Sequence, residues 1–353
     1  MTQTIVGSTA LTLADWAKRM DDDGRTAIIV DLLSQTNEMM LDMLWLEGNQ
    51  TDGHKTTMVT GLPTGTWIEY YQGIQPTKGT TTQITDRCGR LADYSEVDYH
   101  LANLNGNVDS FRLSESRMFM SGMTQQMQGA FLYANDRLNP SQFLGFSPRY
   151  NTLSTSKSQT ANNVLDMGGT STTNTSVWFI QWGSDTCAGI FPRGQRAGLS
   201  MEDLGRWTKN NSDGSLLEVY RSYFTWNSGL SIRDWRYVTR MANIDVTLLT
   251  AAGSGTSANL INGFISAMAH WPTAPMMATL APAPTEPAGV VGSGRAAIYA
   301  NRTITTFMSL QATSKTNVLL QMQEFAGMVV PSFRGVPIRT VDQLLSTEAQ
   351  VTT

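Results

Sequence analysis

Residues 224–245 read FTWNSGLSIRDWRYVTRMANID. Together with LLEVYRSY just before, the run holds two β-branched and aromatic stretches, 216–226 and 230–245, on either side of Asn227-Ser228-Gly229. That tripeptide suits a tight turn, so the spacing predicts a β-hairpin. The second arm carries Arg233, Asp234, Arg236, Arg240 and Asp245 among its aromatic residues. Strand alternation puts Asp234, Arg236 and Arg240 on one face and Arg233 on the other. No nucleophile, general base or metal ligand accompanies them, so a structural ion-pair network is expected rather than a catalytic centre.

On either side of this hairpin the pattern alternates between strand and helix. SVWFIQWG (176–183) and CAGIFP (187–192) read as core strands, and Ser200-Met-Glu-Asp203 resembles a capping box that opens a short helix. SANLINGFISAMAHW (257–271) is an amphipathic helix halted by Pro272, 281–294 is a Pro/Ala/Gly loop, and 302–313 is a further helix. Apolar strands follow at 318–322, 328–330 and 336–341, with a turn at Phe333-Arg334-Gly335. Upstream, 148–175 is a long Ser/Thr/Asn-rich loop. Residues 109–138 give the most regular helical signal, with Phe119, Met123, Met127, Ala130, Ala134 and Leu138 at steps of three and four. It predicts a spine helix about 38 Å long. Met118, Met120, Met123 and Met127 are read as its core filler.

The segment 53–97 differs from everything else. It is Thr-rich and aromatic, is broken at Gly61-Leu62-Pro63, Gly73 and Lys78-Gly79, and reads as a long hairpin or three extended strands. Trp67 and Tyr71 alternate against Ile68 and Tyr70, so it has no single apolar face. Two strands alone in water are marginal, so this ribbon needs another surface to lie on, which a second subunit would supply. Two helices, at about 12–24 and 26–44, precede it as an N-terminal arm.

Composition bounds the function. The chain has 353 residues, of which 25 Lys+Arg and 29 Asp+Glu make 54 charged, or 15%, against about 25% in soluble globular chains. Much of the surface must therefore be uncharged, and 44 Thr with 30 Gly point to extended segments covered by something other than water. The net charge of −4 excludes a generally basic nucleic-acid face. Mean hydropathy is −0.20, and no apolar run approaches a membrane span. Two cysteines make no disulfide framework, and the start MTQTIVGSTA lacks the shape of a signal peptide, so a cytosolic chain is expected.

Enzyme chemistry is absent from the sequence. His54, His100 and His270 have no Cys, Asp or Glu around them at metal-ligand spacing. Gly253-Ser-Gly255 and Gly292-Ser-Gly294 lack the third glycine of a dinucleotide loop, and no Walker or Gly-x-Ser-x-Gly pattern occurs. Asp21-Asp22-Asp23 reads as a solvated acidic turn, and Cys88 and Cys187 as inert thiols. No enzyme, cofactor or metal is expected.

The run from Phe224 to Asp245 also resembles a segment of the major capsid proteins of short-tailed bacteriophages of the epsilon-fifteen type. Tyr299-Ala-Asn301-Arg302-Thr303 and Phe333-Arg334-Gly335-Val-Pro337-Ile-Arg339-Thr-Val-Asp342 match in the same order, as do LTLADWAKR (11–19) and Gly61-Leu62-Pro63. The resemblance covers nearly the whole chain. It implies the α+β Hong Kong 97-type capsid fold, with residues 1–50 as N-terminal arm and 51–100 as extended loop. The peripheral domain would be 101–174 with 301–353, and the axial domain 175–300. It implies self-assembly into an icosahedral shell of hexamers and pentamers around double-stranded DNA, in the virion of a tailed phage assembled in the bacterial cytoplasm. Portal and decoration (cement) proteins would be partners, with no membrane involved. Some members of the fold begin with a scaffold-like segment, whereas here the first arm helix is reached by Leu11, so a separate scaffolding protein is expected. Trp67, Tyr70 and Tyr71 on the ribbon, and Trp16 on the arm, are the expected inter-subunit contacts. The other reading is a tail-associated attachment protein, expected as a trimer or fibre.

Overall fold

The computed structural model describes residues 38–104, 107–210, 214–250, 258–272, 295–314, 320–325 and 328–353. The first arm helix with Trp16, and the 281–294 loop, lie outside them. Of the stretch expected as the second arm helix, 26–44, the residues from 38 on are described, and they hold a four-residue helix, α1 (Met39–Asp42), which leads into β1 (Trp45–Glu47). The ribbon strands β2 (Gly53–Gly61) and β3 (Thr80–Asp98) follow, then α2 (Tyr99–Asn103), the long α3 (Val108–Tyr133) and α4 (Phe146–Arg149). Next come β4 (Val164–Asp166), β5 (Asn174–Trp182), β6 (Cys187–Phe191), β7 (Leu199–Asn210), β8 (Leu216–Ile232) and β9 (Val238–Asp245). The chain continues through α5 (Leu260–Ala269), β10 (Arg295–Ala300), α6 (Arg302–Ser314), β11 (Leu320–Phe325), β12 (Met328–Phe333) and β13 (Val336–Thr340).

These residues fall into two compact units. One is drawn from 90–128 and 196–227, the other from 38–89, 129–195 and 228–353. The partition cuts across the expected domain boundaries. Residues 199–227 group with the end of β3 and the start of α3 rather than with β5 and β9, because β7 pairs with β8 along almost its whole length. The C-terminal strands group with β5, because β10 pairs with β5 and β13 in turn pairs with β10.

The larger unit is built on a sheet in the order β4-β9-β5-β10-β13-β12-β11, with β4–β9 and β10–β13 parallel and the other pairs antiparallel. Every residue of the central strand β5 is buried. Side chains alternate across a strand, and here both faces are covered. Val177 and Phe179 face α5 and α6, with the Phe179 ring 5.1 Å from Phe264. Trp178 and Trp182 face the opposite way, 5.6 and 5.9 Å from Phe146. Two-sided burial explains why the segment reads as a continuous apolar run. In α6, Ile304, Met308 and Gln311 are buried at helical spacing. Gln311 accepts from Leu260 N and donates to the Ala258 and Thr250 carbonyls, so it satisfies an otherwise unpaired amide at the start of α5.

Two local expectations give way. Ser200–Asp203 does not open a helix: it lies in β7, where the paired strand β8 offers more backbone bonds than a cap could. Nor does the chain turn at Asn227-Ser228-Gly229, since β8 runs straight through it. A Cβ at Gly229 would sit 2.6 Å from the Arg87 carbonyl oxygen, so the glycine permits a close strand approach rather than a turn. The expected hairpin does not form either: β8 pairs with β6 and β7, and β9 with β4 and β5. The two strands are joined at 233–237, where the Arg233 and Asp234 amides both donate to the Thr186 carbonyl and Trp235–Tyr237 form one 3₁₀ turn.

Helix α3 ends at Tyr133, short of the expected Leu138. Asn135 accepts from Arg137 N and draws the chain into a separate turn. Met123 and Met127 are buried as expected, whereas Met118 is exposed on the far face.

Asn243, buried in β9, has φ 57° beside a bulge against β5. Its amide donates to the Val351 carbonyl and to Asp166, and its carbonyl accepts from Val351 N. Asn243→Ala should lower unfolding free energy by about 2–3 kcal/mol, combining a left-handed backbone penalty with two stranded backbone groups. Denaturant titration of the variant, with Asn243→Gly as the backbone control, measures it.

Candidate inter-subunit surface

The ribbon is a true antiparallel pair at its base. Gly53 lies opposite Arg87, the register holds to Val59 opposite Thr81, and a bulge precedes Gly61 opposite Thr80. Threonines recur in the paired stretch of both strands because β-branched side chains suit the pleat while their hydroxyls tolerate water. Between Gly61 and Thr80 strand pairing stops. A turn forms where Gln72 N donates to the Glu69 carbonyl and Glu69 N donates to Gln72 Oε1, and Tyr71 sits in the left-handed region at φ 72°. Alternation therefore does not sort the tip residues onto two faces.

Trp67, Tyr70 and Tyr71 are 100%, 98% and 109% exposed, and Val59, Leu62 and Ile74 nearby are also open to solvent. Each aromatic side chain presents about 150–250 Å², so these three alone match or exceed the largest apolar patch of an ordinary monomer, about 300–600 Å². None of the described residues covers them. The arrangement fits a surface that is covered by another molecule.

The predicted ion-pair residues separate into two sites. Asp234 and Arg236 pair with each other across the 3₁₀ turn, Arg236 Nη2 to Asp234 Oδ2 at 2.6 Å. Burial pushes the Asp234 carboxyl up, but the bonds from Arg236 outweigh it and hold the group below its ordinary value. Arg240 lies elsewhere, fully buried, with its guanidinium 5.2 Å from the Trp178 ring. Its Nη2 donates to Glu348 Oε2 at 2.8 Å, Nη1 to the Tyr150 carbonyl at 2.8 Å and Nε to Ser176 Oγ at 3.0 Å. Glu348 also accepts from Ser176 Oγ and, at 2.5 Å, from Tyr133 OH. Glu348 was not singled out in the sequence. The signal for it was a lone carboxylate in the charge-poor tail STEAQVTT. The tail itself is held by a bridge from Asn174 to Glu348 and another from Thr152 to Thr352.

The root of the arm is fixed in the same way. Trp182 Nε1 donates to Tyr299 OH, Tyr299 OH donates to Asp42 Oδ2, and Arg339 pairs with Asp42 at 3.2 Å. In the smaller unit, Glu96 pairs with both Lys209 and Arg221, and Arg221 lies over the Tyr94 and Trp207 rings at 5.2 and 5.4 Å. Arg112 pairs with Asp203 at 2.5 Å, and Arg206 lies 4.2 Å from the Tyr99 ring centre. Several of the described charges are thus gathered into paired, aromatic-backed sites.

Burial, helped by Asp52 and Asp86, pushes the Cys88 thiol up to about 12, and burial raises Cys187 as well, so neither is a reactive thiolate near neutrality. Among the described residues no group of His, Cys, Asp or Glu is placed to hold a metal ion, and no helix is long and apolar enough to cross a membrane.

Known proteins match this arrangement. The family model of the major capsid protein GP7 matches residues 21–352. The solved structure of bacteriophage Epsilon15 is 34% identical, with a TM-score of 0.74, over 99% of this chain and 100% of that one. More distant likenesses include the bacteriophage JBD30 capsid, at 11% identity and TM-score 0.42 over 90% of this chain and 96% of that one. The capsid of a native GTA particle is 8% identical with TM-score 0.44, over 67% of this chain and 99% of that one. No curated protein matches the chain. The near-complete family match and the end-to-end likeness to the Epsilon15 structure place the chain in the major capsid protein GP7 family, as a shell-forming bacteriophage capsid protein with the α+β Hong Kong 97-type fold.

Proposed function

We propose that copies of this chain close into an icosahedral shell of hexamers and pentamers around double-stranded DNA, and that the ribbon at 51–100 straps each copy to a neighbour. The observation that carries the strap is the tip: Trp67, Tyr70 and Tyr71 extend from a paired base into solvent with no partner surface of their own. A specific complex buries about 1,600 Å² in total, and a ribbon and an arm engaged with several neighbours exceed that. Individually weak contacts then sum through multivalency. Trp16 on the arm is the proposed second anchor. The net charge of −4 keeps the wall from gripping DNA that must be packed and released.

Many weak, similar contacts also permit wrongly curved lattices. A separate scaffolding protein therefore guides closure in the host bacterial cytoplasm, and a portal and a decoration protein complete the particle.

Electron microscopy of the full chain expressed alone tests this proposal. Curved megadalton sheets and irregular shells are expected. Closed shells of one size would remove the scaffolding protein from the account, and a discrete trimer or fibre would favour an attachment protein instead.

A further inference from the structure

His54 is the second residue of the ribbon, buried at its root opposite Asp86. Both of its ring nitrogens face hydrogen-bond donors. The Asn49 amide N–H points at Nδ1 from 3.3 Å, and Arg233 Nη2 lies 2.9 Å from Nε2. A neutral imidazole has one lone pair and one N–H, and an imidazolium has no acceptor at all. Arginine never accepts and never loses its charge. The shorter, charge-assisted contact therefore takes the lone pair at Nε2, and the ring proton stays on Nδ1 against the longer contact.

We propose that His54 and Arg233 form an acid-released clasp: neutral His54 holds the guanidinium of the 233–237 turn against the root of the ribbon, and protonation of His54 expels it. An imidazolium would turn an accepted hydrogen bond into two cations meeting donor to donor. The surroundings offer Arg233 little to keep it in place. Its Nε is buried without a partner, and its ion pair with the almost fully exposed Asp185 is long, at 3.7 Å. Asp86, which would welcome a proton on His54, is already committed to Arg149 at 2.8 Å. Arg149 in turn donates to the Leu144 and Leu230 carbonyls, so it is fixed and cannot yield Asp86 to the histidine.

The direction of the pH effect follows. Burial and then Arg233 lower His54 from its ordinary 6.5, with Asp86 pulling the other way. A histidine depressed in the fold contributes stability that is complete above about 6.5, and that stability is lost as the pH falls from there through the lower folded value. The clasp thus holds at neutral pH and opens in mild acid. Its consequence, loosening of an inter-subunit strap, rests on the proposed role of the ribbon; the clasp itself does not.

Hydrogen exchange of the full chain, corrected for the intrinsic pH dependence of exchange, tests the clasp. Between pH 7.5 and 5.0, protection at 53–57 and 231–235 should fall at least tenfold while β5 stays protected. His54→Gln, which can accept from Arg233 and does not titrate, should abolish the fall. Arg233→Gln, which carries no charge and can turn its amide oxygen toward a protonated ring, should abolish the fall as well. An equal fall in either variant, or no fall in the unmodified chain, would overturn the proposal. Particle formation at pH 7.5, scored separately, bears on the shell and not on the clasp.

Discussion

Glu348→Ala should destabilise the larger unit by about 3–5 kcal/mol, the range for removing one partner of a buried ion pair. The size of the effect comes from what is left behind. Arg240 would keep its bonds to the Tyr150 carbonyl and Ser176 Oγ, but its charge would be stranded beneath Trp178 with no counter-ion. Tyr133 OH would lose its acceptor at the same time. The burial cost of the pair as a whole is large, so the double change Arg240→Met with Glu348→Leu should recover most of the loss, because no uncompensated charge remains. Denaturant midpoints of the two variants provide the comparison. A double variant as unstable as Glu348→Ala would mean that the ion pair itself, rather than the stranded arginine, carries the energy. The placement also gives the tail a purpose: Glu348 and Val351 tie the last residues to β5 and β9.

Replacing Trp67, Tyr70 and Tyr71 together with Ala should leave the fold intact and cut particle yield more than tenfold. Surface changes away from packed features shift stability by about 0.5 kcal/mol or less, and these three side chains touch almost nothing in their own chain. Anchors at the centre of an interface cost about 2 kcal/mol or more each when truncated. In a shell the same loss recurs at every copy, so a modest defect per contact becomes a large defect in closure. Circular dichroism and melting of the subunit should match the unmodified protein while sedimentation shows the particles gone. A variant that melts early would assign the tip to packing within the subunit.

Several elements were legible in the sequence because a local pattern and a global role agreed. The apolar run at 176–183 is buried on both faces as β5, and the 302–313 periodicity became α6. The Thr-rich ribbon was visible from its β-branched composition, and its base pairs as read, from Gly53 opposite Arg87 to Val59 opposite Thr81. Other features were set by distant partners. Ser200–Asp203 has a helix-opening pattern, yet β8 recruits it into β7. Asn227-Ser228-Gly229 has a turn composition, yet the glycine serves the approach of the Arg87 backbone. Arg240 was visible as a charge in an aromatic strand, but its partner lies 108 residues away, beyond any spacing rule. The clash of donors at His54 depends on Arg233, 179 residues on, and no local pattern carries it.

The most direct measurement of the ribbon's role is site-specific photo-crosslinking from position 67 in intact particles. A benzophenone side chain in place of Trp67 should give covalent dimers and higher multimers on irradiation, and none after the particles are dissociated. Crosslinks confined to the same chain, in particles shown to be intact, would contradict the account.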